Sequence, residues 1–395
     1  MARLVFMLIV VTTGCGVSSP DPDGDAALSS PDAGTVPMDG GASLDSGPRD
    51  VDPPAIDGGS SPSPDGGVGN DSGVSRDSGA PSTDTGSAAG NLELLFQSSF
   101  AGDTAIEEVA ATHDRLTGAD QTVPQPNDWQ RDFVTNNTYW GSSRIDYEDD
   151  EGDRNKRYAD IHPNGYLRFV LRDAHIAVPN PQRPAAGTQR KGRIQLAVNQ
   201  IQGLDAFTYR VKLKLTGGFV NLAESSSTID WMTLAEIWND ASDSDTSARF
   251  HVAINKDRQE GFVWKVTGQE KVRTASGFDW VDIPGFAFPP ANQLRRGYLV
   301  GLNEWFELTI TARDGLEDGR MKVTVGRPGE RPETIADWQG PTRHDRAPAD
   351  GFDAIHFMKL YTNGLHLDAM AQEVPRPPAL EIHWDDFKVW AGADF

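Results

Sequence analysis

From about residue 166 to the end of the chain, apolar and polar positions alternate in short runs. The runs include YLRFVLRDA (166–174), RIQLAVNQI (193–201), AFTYRVKLKL (206–215), WMTLAEIWN (231–239), ARFHVAIN (248–255) and GFVWKVTG (261–268). They continue with WFELTITARD (305–314), GRMKVTVG (319–326), FMKLYTNG (357–364) and LEIHWDDFKVW (380–390). Period-two alternation broken by Gly, Pro and Asp predicts antiparallel strands. Ten or more such strands predict an all-β jelly-roll sandwich, two curved sheets enclosing one core. Helical periodicity is scarce. A short helix is expected near Asp103–Thr112, and the turn-rich stretch 101–165 reads as loops and edge strands.

Alternation also sorts side chains by face. Arg193, Gln195 and Asn199 share one face of their strand, with Ile194, Leu196 and Val198 on the other. Arg249, His251 and Asn255 oppose Phe250, Val252 and Ile254, and Lys359, Tyr361 and Asn363 oppose Met358 and Leu360. Arg168 and Arg172 oppose Leu167, Phe169 and Leu171. In TLAEIWND, Glu236 and Trp238 share a face against Ala235 and Ile237. A lone carboxylate amid apolar neighbours is costly unless it is paired or functional. Solvated outer faces are ordinary in a sandwich. If these strands belong to one sheet, their polar stripes form a groove.

The N-terminal quarter cannot join such a core. Residues 16–90 are almost wholly Gly, Ser, Pro, Asp, Ala, Thr and Val and contain no aromatic residue. Thirteen aspartates stand there against Arg49 and Arg76, half of the chain's net charge of −22. Such a stretch reads as a disordered, self-repelling tether. Residues 1–15, MARLVFMLIVVTTGC, have a basic start, a short apolar run and small residues before Cys15, the pattern of a secretory signal. Cys15 is the chain's one cysteine, so an intramolecular disulfide is excluded. The ending GC resembles a bacterial lipobox, which implies lipidation of Cys15 and, with Gly16 following, an outer-membrane or cell-surface location. A plain secretory signal that happens to contain a cysteine is the alternative. Residues 91–395 hold all ten tryptophans and are read as one β-jelly-roll domain, expected to be a monomer.

Two stretches resemble the concanavalin A-like superfamily. GLNEWFELTITAR (301–313) places a turn and a Trp before an alternating run, and ALEIHWDDFKVW (379–390) is similar to the closing strand, with an aromatic and an acidic pair near its end. That superfamily includes lectins, endoglucanases and alginate- or glucuronan-type polysaccharide lyases. The order GRIQL, AEIW, FMKLYTNG resembles the strand order of jelly-roll lyases, in which an Arg strand, a Gln-Ile-His strand and a late Lys/Tyr strand follow one another. Glu236 stands where the lyase pattern has Gln, and Trp238 where it has His. The nearest comparable histidine is His251.

What the resemblance implies is β-elimination on an acidic polysaccharide. Arg193 and Gln195, with Asn199, suit a substrate carboxylate. Tyr361 suits an acid or base, with His251 as the alternative base, and Lys359 is placed to lower the tyrosine's pKa. Trp238 offers a platform for a sugar ring, and Arg249 and Asn255 extend the polar stripe. A glycoside hydrolase using Glu236 remains open, with Glu224, Glu304 or Glu381 as a second carboxylate. So does a non-catalytic carbohydrate-binding module. From Arg154 to Lys214, twelve basic residues face three aspartates, which fits an anionic ligand reaching one side or a solvated basic edge. The acidic total argues against nucleic acid. No cofactor is expected. Calcium at SDSD (242–245) or Asp385–Asp386 is the one metal considered, and zinc, phosphate-loop and dinucleotide motifs are absent.

Overall fold

The structure is a computed structural model that describes residues 92–148, 152–179, 188–240, 245–256, 261–274, 277–289, 299–373 and 378–395. Cys15, the tether at 16–90 and Ser242–Ser244 of the SDSD turn lie outside the described residues.

Strands follow one another as β1 (Glu93–Ser98), β2 (Ala105–Ala110), β3 (His113–Thr117), β4 (Ser143–Asp146), β5 (Arg157–His162) and β6 (Tyr166–Leu171). Then come β7 (Ile176–Pro179), β8 (Thr188–Asn199), β9 (Ala206–Gly217), helix α1 (Gly218–Glu224), β10 (Ile229–Asn239), β11 (Ala248–Lys256) and β12 (Phe262–Thr274). The chain closes with β13 (Gly277–Phe288), β14 (Phe306–Arg313), β15 (Arg320–Gly326), β16 (Glu333–Gln339), β17 (Ala354–Asn363), helix α2 (Gly364–Glu373) and β18 (Leu380–Ala391).

All pairings are antiparallel, in two sheets. The eight-stranded sheet runs β16-β15-β14-β9-β18-β6-β5, with β1 on β18; the ten-stranded sheet runs β13-β12-β11-β10-β17-β8-β4-β3-β2, with β7 on β8. The all-β jelly-roll sandwich expected from the alternation is therefore the fold.

Its core is the apolar half of each alternating strand. Ile194, Leu196 and Val198 of β8, Phe250, Val252 and Ile254 of β11, and Leu360 of β17 belong to one buried cluster with Val211, Leu213 and Leu215 of β9 and with Ile382 and Trp384 of β18. Each such side chain contributes about 1.5–3 kcal/mol when withdrawn from water. Gly192 of β8 lets the layers meet: a Cβ there would stand 2.8 Å from the Leu171 side chain.

The stretch 101–165 is more ordered than its sequence suggested. Instead of a helix near Asp103–Thr112, Ala105–Ala110 forms β2, paired with β3. Its β-branched Ile106 and Val109 favour a strand, and Glu107 meets Arg115 of β3 at 3.0 Å. Trp129, Phe133 and Trp140 from the same stretch are buried, packing with Phe96, Phe357 and Phe387. The apolar rings of an otherwise polar loop segment supply this end of the core.

Candidate functional site

The ten-stranded sheet turns its polar face away from that core, and the predicted residues converge on it. Directly opposed pairs set the rows: Tyr361 lies across from Arg193, Lys359 from Gln195, Glu236 from both His251 and His356, and Trp238 from Arg249. Yet this face is not a solvated stripe. Arg193, Gln195, Glu236, Arg249, Lys359 and Tyr361 are all buried. Polar side chains at that depth demand partners or a purpose.

Glu236 has partners on both oxygens. His251 Nε2 lies 2.7 Å from Oε1, His356 Nδ1 lies 3.1 Å from Oε2, and the Lys359 ammonium donates to Oε2 as well. Burial alone would push this carboxyl up, but Lys359 and the two imidazoles outweigh it and hold the group well below the usual carboxylate range. Burial in turn lowers His251, although Glu236 opposes the shift, and takes His356 down to about 4 with Lys359 adding to the effect. Lys359 is pushed down to about 8 by burial, against the pull of Glu236. With Nε2–H given to Glu236, His251 is held in the tautomer that leaves Nδ1 as a lone pair.

Three further groups have a different character. Lys191 is 1% exposed, and its ammonium has no hydrogen-bond partner. Burial lowers it to about 8 despite attraction from Glu148. Arg193 gives one guanidinium nitrogen to Asp146 at 3.3 Å and to Glu148, while its Nε stays buried and unpartnered. Its pKa is raised because those two carboxylates outweigh burial. The Tyr361 hydroxyl is likewise buried without a partner. The ring leans on Trp231 at 4.9 Å, and the Lys359, Lys191 and Arg193 cations lie 5.0, 5.6 and 5.8 Å from its centroid. Lys359 was expected to lower this tyrosine; instead burial prevails and its pKa is raised. Tyr361 is thus a proton donor at neutral pH.

Other expectations fare differently. Gln195 donates to Asp146 at 3.1 Å. Asn199 ends β8, four residues beyond Gln195 or about 13 Å along the strand. Asn255 stands as far from His251 along β11 and pairs with Val263. Trp238 is 5% exposed, set edge-on to Trp280 at 5.5 Å, so it is packed and not an open platform for a ring. Arg249 stacks on Trp280 at 4.0 Å and binds the Gln269 side-chain oxygen at 2.8 Å. Glu304 is tied to Arg327, and Glu381 to His383 on the other sheet, so neither is a second carboxylate for Glu236. The basic run from Arg154 to Lys214 does not lie on one side, because Lys191 and Arg193 belong to the ten-stranded sheet and Arg168, Arg210, Lys212 and Lys214 to the other. Asp386 is paired with Lys212 and Lys388.

Sequence reasoning missed His356, Lys191, Asp146 and Glu148. Strict alternation would put His356 beside Met358 and Leu360, inside the core. A register shift between His356 and Met358 sends Phe357 and Met358 both inward and returns His356 to the polar face. Lys191 was legible, two places before Arg193 on the same face.

No family model matches this chain, and no curated protein does. Several solved structures are similar in part. An alginate lyase, Aly36B, is 11% identical, with 60% of this chain and 84% of that one covered at a TM-score of 0.34. An alginate lyase from a Chlorella virus, also 11% identical, covers 60% and 90% at 0.32. A pseudo beta-1,3-glucanase of Mycobacterium tuberculosis, 14% identical, covers 76% and 99% at 0.34. These likenesses concern the fold and leave the chemistry to the residues themselves.

Proposed function

We propose that the protein is a polysaccharide lyase that cleaves a uronate-containing glycan by β-elimination. The supporting observation is the buried, unpartnered Tyr361 hydroxyl flanked by the unpartnered Lys191 ammonium and by Arg193, whose Nε has no partner although its guanidinium pairs with Asp146 and Glu148. A substrate carboxylate would pair with the Lys191 ammonium, accept from Arg193 Nε and carry the charge that develops when its α-proton leaves. His251 Nδ1 takes that proton, with Glu236 fixing the imidazole. The C–H pair then forms the C4–C5 double bond as the C4–O bond breaks, and Tyr361 gives its proton to the departing oxygen.

A hydrolase built on Glu236 fits less well. Such an enzyme needs one carboxyl able to carry a proton and another free to attack or activate water. Glu236 is ionised, and both its oxygens are occupied. A lipid anchor at Cys15 with display at the cell surface belongs to the same proposal and rests on the N-terminal pattern alone.

The test is incubation of the full chain with alginate, polygalacturonate and polyglucuronate, and with neutral glucans. New ultraviolet absorbance from a conjugated double bond, with products of unsaturated-uronate mass, supports elimination. Reducing ends without that absorbance overturn it in favour of hydrolysis, and binding without turnover overturns it in favour of a lectin-like module.

A further inference from the structure

The opposite sheet carries an aromatic array that the elimination reading does not use. On the outward face of the eight-stranded sheet, Tyr166 lies nearly parallel to His162, with centroids 4.3 Å apart and planes 8° off, and to His383 at 4.5 Å and 24°. Trp305 stands on edge to Tyr166 at 6.0 Å and lies 6.5 Å from His383. None of these rings belongs to the core cluster, and His162, Tyr166 and Trp305 are only half-buried. Core packing therefore does not explain why four planar groups gather on one outer surface.

Lys214 completes the array. It pairs in register with His383, and its ammonium lies 5.1 Å from the Trp305 ring and 6.0 Å from that of Tyr166. Neighbouring cations are neutralised: Arg168 holds Asp160 at 2.6 Å, and Lys212 holds Asp386 at 3.2 Å. Lys214 has no carboxylate within ion-pair distance among the described residues. Beside the array opens a cavity of about 720 Å³ that shares His162 with it and is also lined by Asn164 and Thr104. Its carboxylates Asp160 and Glu108 are engaged by Arg168 and Arg154.

We propose that Tyr166, Trp305, His162 and His383, with Lys214 among them, form a second, non-catalytic glycan site that holds an acidic pyranose chain. The apolar face of a sugar ring stacks on the aromatic planes, and its carboxylate pairs with the Lys214 ammonium. A 720 Å³ opening accommodates the next residues of the chain. The acidic character of the ligand follows from Lys214 and not from the elimination chemistry, so the site stands or falls separately.

Affinity electrophoresis of the full chain decides it, in gels cast with polygalacturonate, alginate or polyglucuronate and in a parallel gel with neutral hydroxyethylcellulose. The Tyr361→Phe variant serves as background, so turnover does not consume the polymer. Retardation by at least one polyuronate is expected, with a five-fold or greater loss of affinity in Tyr166→Ala/Trp305→Ala and a smaller loss, confined to the polyuronates, in Lys214→Gln. Retention of wild-type affinity by a double variant with a native circular dichroism spectrum overturns the proposal. Retardation by no polyuronate overturns it too. Lys214→Gln removes one surface ammonium and keeps the proposal open to refutation if the double variant fails to fold: unchanged polyuronate affinity in that variant overturns the assignment of an acidic ligand.

Discussion

His251 and Glu236 sit directly across from each other on β11 and β10, and the imidazole Nε2 meets the carboxylate at 2.7 Å. The cross-strand register makes this contact, and no loop is needed to hold it. The carboxylate that looked anomalous in the middle of an apolar run is the acceptor for two histidines and a lysine. Its purpose in the proposed reaction is to orient the base.

Glu236→Gln tests that assignment. The amide oxygen still accepts from His251, but the amide nitrogen faces His356 and Lys359. Turnover is expected to fall roughly 10- to 100-fold, less than the about 10²–10⁴ that a lost general base costs. Loss nearer 10⁶-fold, the scale of a missing nucleophile, would return the carboxylate to the centre of the chemistry. Steady-state kinetics on the preferred polyuronate reads the difference.

Tyr361→Phe should lower kcat by about 10²- to 10⁴-fold with little change in KM. Stability should hold or rise by up to about 1 kcal/mol, because the deleted hydroxyl is buried without a partner. Urea unfolding alongside the kinetics separates the two. A near-normal rate would remove this residue from the mechanism.

Lys191→Met keeps an unbranched side chain one atom shorter and removes an unpartnered buried ammonium. The variant should be more stable at pH 7, by about 1 kcal/mol, and should bind anionic substrate far more weakly, seen as a raised KM. In the wild type the folded pKa of Lys191 is about 8, below the usual lysine value of 10.5. Between those two pH values the unfolded chain binds more protons than the folded one, so the lysine's contribution to stability rises with pH across that window. The lysine's cost is fully present below about pH 8. Lys359, also at about 8, adds a like contribution. Replacing Lys191 should flatten the rise measured by chemical denaturation from pH 8 to 10.5; an unaltered slope would show the ammonium to be solvated.

The rate should follow a bell-shaped pH profile. On its acid side, protonation of His251 below its lowered pKa removes the base. On its alkaline side, Lys191 loses its charge near pH 8 and the substrate carboxylate loses that hold. In Lys191→Met the alkaline limb should move to higher pH or shrink. An alkaline limb that tracks Tyr361→Phe instead would assign it to the phenol.

Gly192→Val should destabilise the protein by about 1–3 kcal/mol, since even the first carbon of a side chain meets Leu171 at 2.8 Å. Thermal unfolding measures it, with an unchanged KM expected for whatever fraction stays folded.

Much of this was legible in the chain. The apolar half of each alternating run named the core, and the polar half named Arg193, Gln195, Glu236, His251, Lys359 and Tyr361, all on one face. What stayed hidden had physical causes. Burial of the polar face comes from what covers it, which alternation within a strand does not reveal, so the packed state of Trp238 and the raised pKa of Tyr361 were out of reach. Asp146 belongs to a four-residue strand too short to show a period. His356 was masked by an irregularity in the very pattern used to find its neighbours.

That irregularity has a consequence for anyone editing the gene. With Phe357 and Met358 both anchored inside, His356 and Lys359 are three positions apart yet look out together. Deleting either anchor would restore a perfect zigzag in which His356 and Lys359 still face the same way, with one apolar residue between them. A lesion that deletes a single hydrophobic codon would thus thin the core and straighten the strand while leaving both Glu236 partners on their own side of it.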